Sequence, residues 1–167
     1  WDMKDFINKT ISGIKENVED ENVLCATSGG IDSTVTALIM HRAIGDKLRC
    51  VFVNHGLLRE GEEEEVVNMF KYNFGIKLIY VNAEKRFLDR LKNIIDPERK
   101  RMIIGDEFGK IFEEVAKENG PFQWLAQGTL YPDIIESGVS KGPASLIKSH
   151  HNVAGLPKKL NFKVIEP

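Results

Sequence analysis

A glycine-containing stretch at residues 28–34, Ser-Gly-Gly-Ile-Asp-Ser-Thr, constrains the fold more than any other part of the chain. It lies between an apolar run, Val23–Ala26, and a helical pattern over residues 35–40. A buried strand that ends in two glycines and continues at once as a helix leaves several main-chain N–H groups without intrachain partners, and these groups point to one place. The sequence therefore predicts an anion-binding loop between a strand and a helix.

The residue types in this loop suit a phosphate group. Gly29 and Gly30 permit a tight turn and let a ligand approach the main chain closely. Three hydroxyl residues add donors that need no counter-charge: Ser28, Ser33 and Thr34. Neither Gly-x-x-x-x-Gly-Lys-Ser/Thr nor Gly-x-Gly-x-x-Gly is present, so the loop is neither a P-loop nor a dinucleotide-binding loop. It is a third kind of phosphate site.

Asp32 is the unusual member of the loop, because a carboxylate beside a phosphate is repulsive unless a cation lies between them. Its presence indicates Mg²⁺ that arrives with a nucleotide. An equally strong interpretation of this single residue is that it caps the N-terminus of the following helix.

Apolar spacing and turn residues predict strands that alternate with helices. The first helix covers residues 3–18, the second ends near Ile44 before Gly45, and the clearest one begins after Asp96 and ends at 119–121. A further helix starts in the acidic run at 60–65, whose carboxylates should be solvated, and ends at Gly75. Five strands are expected, at residues 23–26, 50–53, 77–81, 124–128 and 162–165.

This alternation predicts an α/β fold with a doubly wound, mainly parallel five-stranded sheet flanked by helices. In such sheets ligands bind beyond the carboxyl ends of the strands. Residues 28–33 and Asn54–Gly56 should therefore face one crevice.

Length and charge limit the possible partners. The 167 residues fit one globular domain, and 23 basic against 25 acidic side chains give a net charge of −2, so a nucleic-acid partner is not expected. Cys25 and Cys50 lie in predicted strands as buried free thiols, which favours a reducing, cytoplasmic location. No apolar segment reaches membrane-spanning length, so no membrane partner is expected either.

The motif Ser-Gly-Gly-x-Asp-Ser after a strand resembles the pyrophosphate loop of the ATP pyrophosphatases, which have the adenine nucleotide alpha hydrolase-like fold. Further segments are similar to the synthetase domain of the GMP synthases in that group: residues 50–59, 96–105, 125–137 and 147–157. The resemblance covers nearly the whole chain in order, and its last two segments are specific to the GMP synthases.

The resemblance implies a ligase that uses ATP and Mg²⁺. In that chemistry XMP attacks the α-phosphorus of ATP, pyrophosphate leaves, and ammonia from a glutaminase domain or subunit displaces AMP to give GMP. It also implies further residues after Pro167, including a dimerisation domain that would make the enzyme a homodimer. Residues 1–167 are thus expected to be part of an ATP pyrophosphatase domain, without the glutaminase and C-terminal dimerisation domains.

Residue roles follow from the same resemblance. The loop residues would hold the β and γ phosphates, and Asp32 would anchor the metal and serve catalysis: Ser28, Gly29, Gly30, Ile31, Asp32, Ser33 and Thr34. The main chain of Val53 would contact the adenine edge, and Ala26 is small enough to admit the ring. For both of these residues the alternative is a place in the sheet core.

The segment 133–148 is long, carries glycines and a proline and lacks periodicity, so we expect a mobile lid. Asp133 and Glu136 would bind magnesium or orient the xanthine, and Lys148 would balance charge on the transferred phosphate. All three are also interpretable as solvated loop charges. His150–His151 favours phosphate contact or loop hydrogen bonding over a metal site.

Asn54 departs from the family pattern, which has an aspartate at the end of the second strand; its amide can still bind the ribose. Two competing functions remain. The alternatives to GMP synthesis are another pyrophosphate-loop ligase, such as an NAD synthetase or a tRNA-thiolating enzyme, and a non-catalytic adenine-nucleotide sensor on the same fold.

Overall fold

The computed structural model describes residues 2–128 and 162–167. Within them lies one sheet of five parallel strands in the order β3-β2-β1-β4-β5. The strands are β1 Val23–Ala26, β2 Leu48–Asn54, β3 Leu78–Asn82, β4 Trp124–Ala126 and β5 Lys163–Ile165. The predicted fold class is confirmed, and β1 occupies the centre of the sheet.

Five α-helices connect and flank the described strands: α1 Met3–Val18, α2 Ile31–Ile44, α3 Glu62–Asn68, α4 Glu84–Leu91 and α5 Pro97–Asn119. A short 3-10 turn, Gly45–Lys47, follows α2, and a π-helical turn, Met69–Asn73, follows α3. The sequence did not predict α4, because this helix is short, mostly charged and buries only Phe87. None of the helices in the described ranges is long and apolar enough to cross a membrane.

The predicted helix ends are confirmed for α2 and α5. Asp96 caps α5, since its carboxylate accepts a hydrogen bond from Arg99 N at 2.9 Å, and Pro97 occupies the first turn. Gly45 ends α2 with φ +55°, and its N–H donates to His41 O.

Two apolar clusters cover the two faces of the sheet, as expected for a doubly wound fold. One face packs mainly on α1 and α2, and the other on α4 and α5. Alternate residues of β1 face opposite sides, so Cys25 lies in the first cluster and Leu24 in the second. Cys25 and Cys50 are register neighbours on β1 and β2 and are buried free thiols, as predicted. Their hydrogen bond and burial raise the pKa of Cys50.

An ion network fixes α4 to α5. Glu107 is 3 % exposed, and its two carboxylate oxygens accept hydrogen bonds from Arg86 Nε at 2.7 Å and Arg90 Nη1 at 2.5 Å. Arg86 also pairs with Glu114, and Arg90 with Asp106. Burial alone would raise the pKa of Glu107, but the bonds from Arg90 and Arg86 outweigh it and hold that pKa below its usual range.

Candidate nucleotide site

The glycine loop connects the carboxyl end of β1 to α2, as predicted. Gly30 is the N-cap of α2, and Asp32 lies inside the first turn. The N-cap interpretation of Asp32 is therefore wrong, because the residue lies two positions beyond the cap. Its side chain is exposed, and it makes no hydrogen bond or ion pair with the residues that the structure describes. The carboxylate remains available to a cation.

Hydrogen bonds among neutral groups shape the loop. The Ser33 hydroxyl donates to Gly30 O at 3.1 Å and accepts from Ser28 N at 3.2 Å. The Ser28 hydroxyl lies 3.2 Å from Ser33 Oγ and accepts from Gly30 N at 3.3 Å. Ser33 and Ser28 thus contribute to the shape of the loop as well as offering donors to a ligand.

Thr27 is a loop residue that sequence reasoning missed. It is buried, its hydroxyl donates to Ser33 Oγ at 3.4 Å, and it accepts from Gly29 N at 3.4 Å. A hydroxyl residue placed directly between the strand and the glycines was the available signal. Thr34 differs from these neighbours, because its buried Oγ1 has no hydrogen-bond partner among the described residues. A ligand at this loop would supply one.

Gly29 has no substitute at its position. Its φ is +82°, and a Cβ placed on it would lie 2.3 Å from Val66 Cγ2. The positive φ disfavours any side chain, and the short distance to Val66 shows that α3 packs directly on the loop. Gly128, just after the carboxyl end of β4, lies close to the first turns of α2. A Cβ placed on it would lie 2.7 Å from Thr36 Oγ1 and 3.3 Å from Asp32 O.

The turn after β2 lies beside the loop, since β1 and β2 are adjacent and parallel. Asn54 is buried, its Oδ1 accepts from Gly56 N at 2.9 Å, and its Nδ2 donates to Glu63 Oε2 at 2.6 Å. Both ends of the amide therefore already have partners within the protein. The predicted contact between Asn54 and the ribose stays a prediction.

The prediction of a fully solvated acidic run is wrong for Glu63. Glu64 and Glu65 are exposed as expected, but Glu62 and Glu63 are half-buried, and Glu63 faces the end of β2. Glu62 has a local role, accepting from Arg59 N at 2.8 Å at the start of α3. Sequence alone gave no means of telling these four carboxylates apart.

His55 packs on the side of the turn that faces α4 and α5. Its ring lies edge-on to Phe87 and Phe108 with centroid separations of 5.9 and 6.0 Å, and Nδ1 accepts from Leu57 N at 3.1 Å. Burial lowers the pKa of His55. The imidazole is therefore neutral near pH 7, with its proton on Nε2.

The remaining predicted site residues divide into two groups. The side chain of Val53 belongs to the second apolar cluster, and Ala26 packs partly against it, so both have the core position given as the alternative. Contact of either residue with adenine stays a prediction. Asp133, Glu136 and Lys148 lie outside the described residues, as do the predicted lid 133–148 and His150–His151.

The described part of the site offers one exposed carboxylate to a cation, that of Asp32. No group of three His, Cys, Asp or Glu side chains suited to a metal occurs in residues 2–128 and 162–167. Mg²⁺ is commonly held by one or two carboxylates together with phosphate oxygens and water. The exposed Asp32 carboxylate at the loop matches that requirement.

The family model described as "Thiamine biosynthesis protein (ThiI)" matches residues 18–128, which contain the glycine loop and the first four strands. The chain belongs to this family of pyrophosphate-loop ATP pyrophosphatases.

Curated relatives of this chain include GMP synthases from several bacteria. GMP synthase [glutamine-hydrolyzing] from Clostridium kluyveri is 54% identical over 167 residues, and that from Acetivibrio thermocellus is 56% identical over 168 residues. Each match covers 100% of this chain and 32% of the relative, so the chain spans about a third of their length. The resemblance to the synthetase domain of GMP synthases is confirmed.

A solved structure shows the same fold. The NH3-dependent NAD synthetase from Campylobacter jejuni, in complex with the nitrate ion, matches with a TM-score of 0.62 at 13% identity. The match covers 77% of this chain and 57% of that chain. At this identity the likeness concerns the fold alone.

Proposed function

We propose that this chain is the ATP-binding part of a ligase that makes GMP from XMP. The observation that carries the proposal is the glycine loop at the carboxyl end of β1, where Thr34 Oγ1 has no hydrogen-bond partner among the described residues. All 167 residues of the chain align with about a third of a GMP synthase. A loop of this kind suits a pyrophosphate group, because main-chain N–H groups at a helix start are preorganised donors.

The proposed reaction has two steps. The C2 oxygen of XMP attacks the α-phosphorus of ATP, the bond to the β-phosphate oxygen breaks, and pyrophosphate leaves. Ammonia then attacks C2 and loses a proton to solvent, the bond from C2 to oxygen breaks, and AMP leaves with that oxygen to give GMP. Adenylylation is needed because a ring carbonyl oxygen is a poor leaving group, whereas AMP is a good one.

The loop residues have defined roles in the first step. Main-chain N–H groups at 29 and 30 and the hydroxyls of Ser28, Ser33 and Thr34 would bind the β and γ phosphates. These donors become more valuable as negative charge builds on the departing pyrophosphate. Asp32 would hold Mg²⁺, which supplies charge neutralisation of the phosphates when bound. Asp133, Glu136 and Lys148 complete the proposed catalytic set.

The base of ATP would lie at the ends of β1 and β2. There the main chain of Val53 would bind the adenine edge and Ala26 would leave room for the ring. The proposed partners are a glutaminase domain or subunit that supplies ammonia and a second protomer that forms a homodimer. The two buried thiols support a cytoplasmic location.

The deciding experiment supplies the full-length protein with Mg²⁺, ammonium and ATP labelled at the α-phosphate, with and without XMP. We expect labelled AMP only when XMP is present, together with pyrophosphate and GMP in equal amounts. Labelled ADP, or AMP formed regardless of XMP, would contradict the GMP synthase assignment and leave a different pyrophosphate-loop activity. ATP binding without any turnover would indicate a nucleotide sensor.

A further inference from the structure

The carboxylate of Glu63 has an environment that the other glutamates of α3 lack. It accepts the hydrogen bond from Asn54 Nδ2 at 2.6 Å, whereas Glu64 and Glu65 are exposed. Tyr80, on β3, lies near both residues: burial and the nearby Glu63 raise the pKa of the Tyr80 hydroxyl, and Asn54 lowers it. Glu63 therefore connects α3 to the carboxyl ends of two strands.

A carboxylate only accepts hydrogen bonds and a main-chain N–H only donates, so Glu63 and Gly56 together determine which way the Asn54 amide points. The NH₂ group faces α3, and Oδ1 is left facing the N–H of Gly56 at 2.9 Å. Gly56 has φ +73°, and a Cβ placed on it would lie 2.6 Å from Glu84 Cγ. The turn after β2 is thus closely packed, and the Asn54 amide joins it to α3.

The same helix also contacts the glycine loop. Val66 follows Glu63 by about one helical turn, is 4 % exposed, and its Cγ2 fills the space where a Cβ on Gly29 would lie. Through Val66 and Glu63, α3 contacts the loop after β1 and the turn after β2. Both lie beyond the carboxyl ends of adjacent parallel strands, so a crevice between them is at the edge of the sheet where ligands of such sheets bind.

We propose that Glu63 is a positioning residue for ATP: by orienting Asn54 it sets the turn after β2 at the distance from the glycine loop that the nucleotide spans. The inference rests on the proposed function in one respect, namely that ATP lies in this crevice. Glu63 acts through Asn54 and makes no contact with the reacting atoms. Its loss weakens ATP binding and leaves the chemical step intact.

Three substitutions at this position separate the possible roles. Glu63→Ala removes the acceptor and is expected to raise KM for ATP about 5- to 10-fold, with kcat within twofold of wild type. Glu63→Gln keeps an acceptor for Asn54 and should restore KM to within twofold. Glu63→Lys offers only donors, favours the inverted amide, and should raise KM above the value for Glu63→Ala. The same three substitutions at Glu64 are the matched controls, with no change expected.

Two measurements on the full-length protein decide the outcome: steady-state kinetics with XMP and ammonium, and equilibrium binding of magnesium-ATP without XMP. An alanine variant with wild-type KM and ATP affinity, or a glutamine variant as impaired as alanine, overturns the inference. If Glu63→Ala does not fold, equal KM values for Glu63→Gln and Glu63→Lys overturn it.

The binding measurement also separates this inference from the proposed function. If the wild-type protein never forms AMP in response to XMP, the proposed function is wrong, but weaker ATP binding in Glu63→Ala and not in Glu63→Gln still supports the positioning role. If the wild-type protein makes GMP and Glu63→Ala binds ATP normally, only the inference about Glu63 is overturned.

Discussion

The glycine loop and the contact between α4 and α5 are both built from polar side chains, but they differ in the strength of their bonds. The loop uses neutral hydroxyl and main-chain groups at 3.1 to 3.4 Å. The α4–α5 contact uses charged groups at 2.5 to 2.7 Å around the buried Glu107. Charged, short hydrogen bonds are roughly twice as strong as neutral ones. The first arrangement can exchange its partners for a ligand at little cost, and the second cannot.

The comparison predicts its largest effect on activity at Asp32. Asp32→Asn should lower XMP-dependent pyrophosphate release by roughly 100-fold or more, because in the proposed function Mg²⁺ would lose its carboxylate at the loop. The free energy of unfolding should change by less than about 1 kcal/mol, since only the favourable interaction with the helix dipole is lost. Initial rates and urea denaturation measure the two quantities.

Asp5→Asn is the matched control for that change, because Asp5 also lies in the first turn of a helix. It should alter stability by a similar amount and leave activity unchanged. Equal activities of the two variants would contradict a metal-binding role for Asp32.

Glu107 should show the opposite pattern. Glu107→Gln should lower the free energy of unfolding at pH 7 by about 1–3 kcal/mol and leave KM and kcat unchanged. The loss is moderate because Arg86 and Arg90 are partly exposed and keep Glu114 and Asp106 as partners. Because the folded-state pKa of Glu107 lies below its unfolded value of about 4.3, the contribution is present above that value and is lost as the pH falls through the folded-state pKa.

Urea denaturation from pH 7 down to pH 3 tests this behaviour, and the curve for Glu107→Gln should be the flatter of the two below pH 4.3. Glu114→Gln is the control, since its exposed carboxylate should contribute less than about 1 kcal/mol. A raised KM for ATP in Glu107→Gln would contradict the expectation that the α4–α5 contact supports stability but not ATP binding.

The smallest effect is expected at Ser33, whose hydroxyl shapes the loop and also offers a donor to a ligand. Ser33→Ala removes neutral bonds only, so it should cost about 0.5–1.5 kcal/mol of stability. Loosening of the loop and loss of one donor should raise KM for ATP roughly 3- to 10-fold, which corresponds to about 0.7–1.4 kcal/mol. Ser12→Ala, an exposed serine on α1, serves as the control for both measurements. A large loss of stability in Ser33→Ala would mean that the loop is as rigid as the α4–α5 contact.

Local signals in the sequence were sufficient for the strands, for four of the helices and for the glycine loop. Glycines, hydroxyls and an apolar run within a dozen residues determine that loop, and Asp96 with Gly120 marks both ends of α5. The helix α4 escaped prediction because its mostly charged segment gives a weak apolar pattern, and its stability comes from α5.

The roles of Glu63 and Glu107 could not be predicted for a related reason. Each resembles a surface glutamate in sequence, and each acquires its role from residues on another element: Asn54 and Tyr80 for Glu63, Arg86 and Arg90 for Glu107. Residue spacing along one helix shows which face is apolar, but it does not show which charges from elsewhere meet that face.

The central position of β1 has a consequence for how the loop moves. Hydrogen-bonded neighbours on both sides hold this strand, and the pairing extends to Thr27, whose N–H donates to Val51 O at 2.9 Å. At residues 28–30 the main-chain N–H groups have only long hydrogen bonds, of 3.2 to 3.4 Å, to hydroxyls of the loop itself. The change from main chain held by the sheet to main chain held by long bonds to hydroxyls therefore falls between Thr27 and Ser28, and opening the loop breaks fewer and weaker hydrogen bonds than opening β1 does.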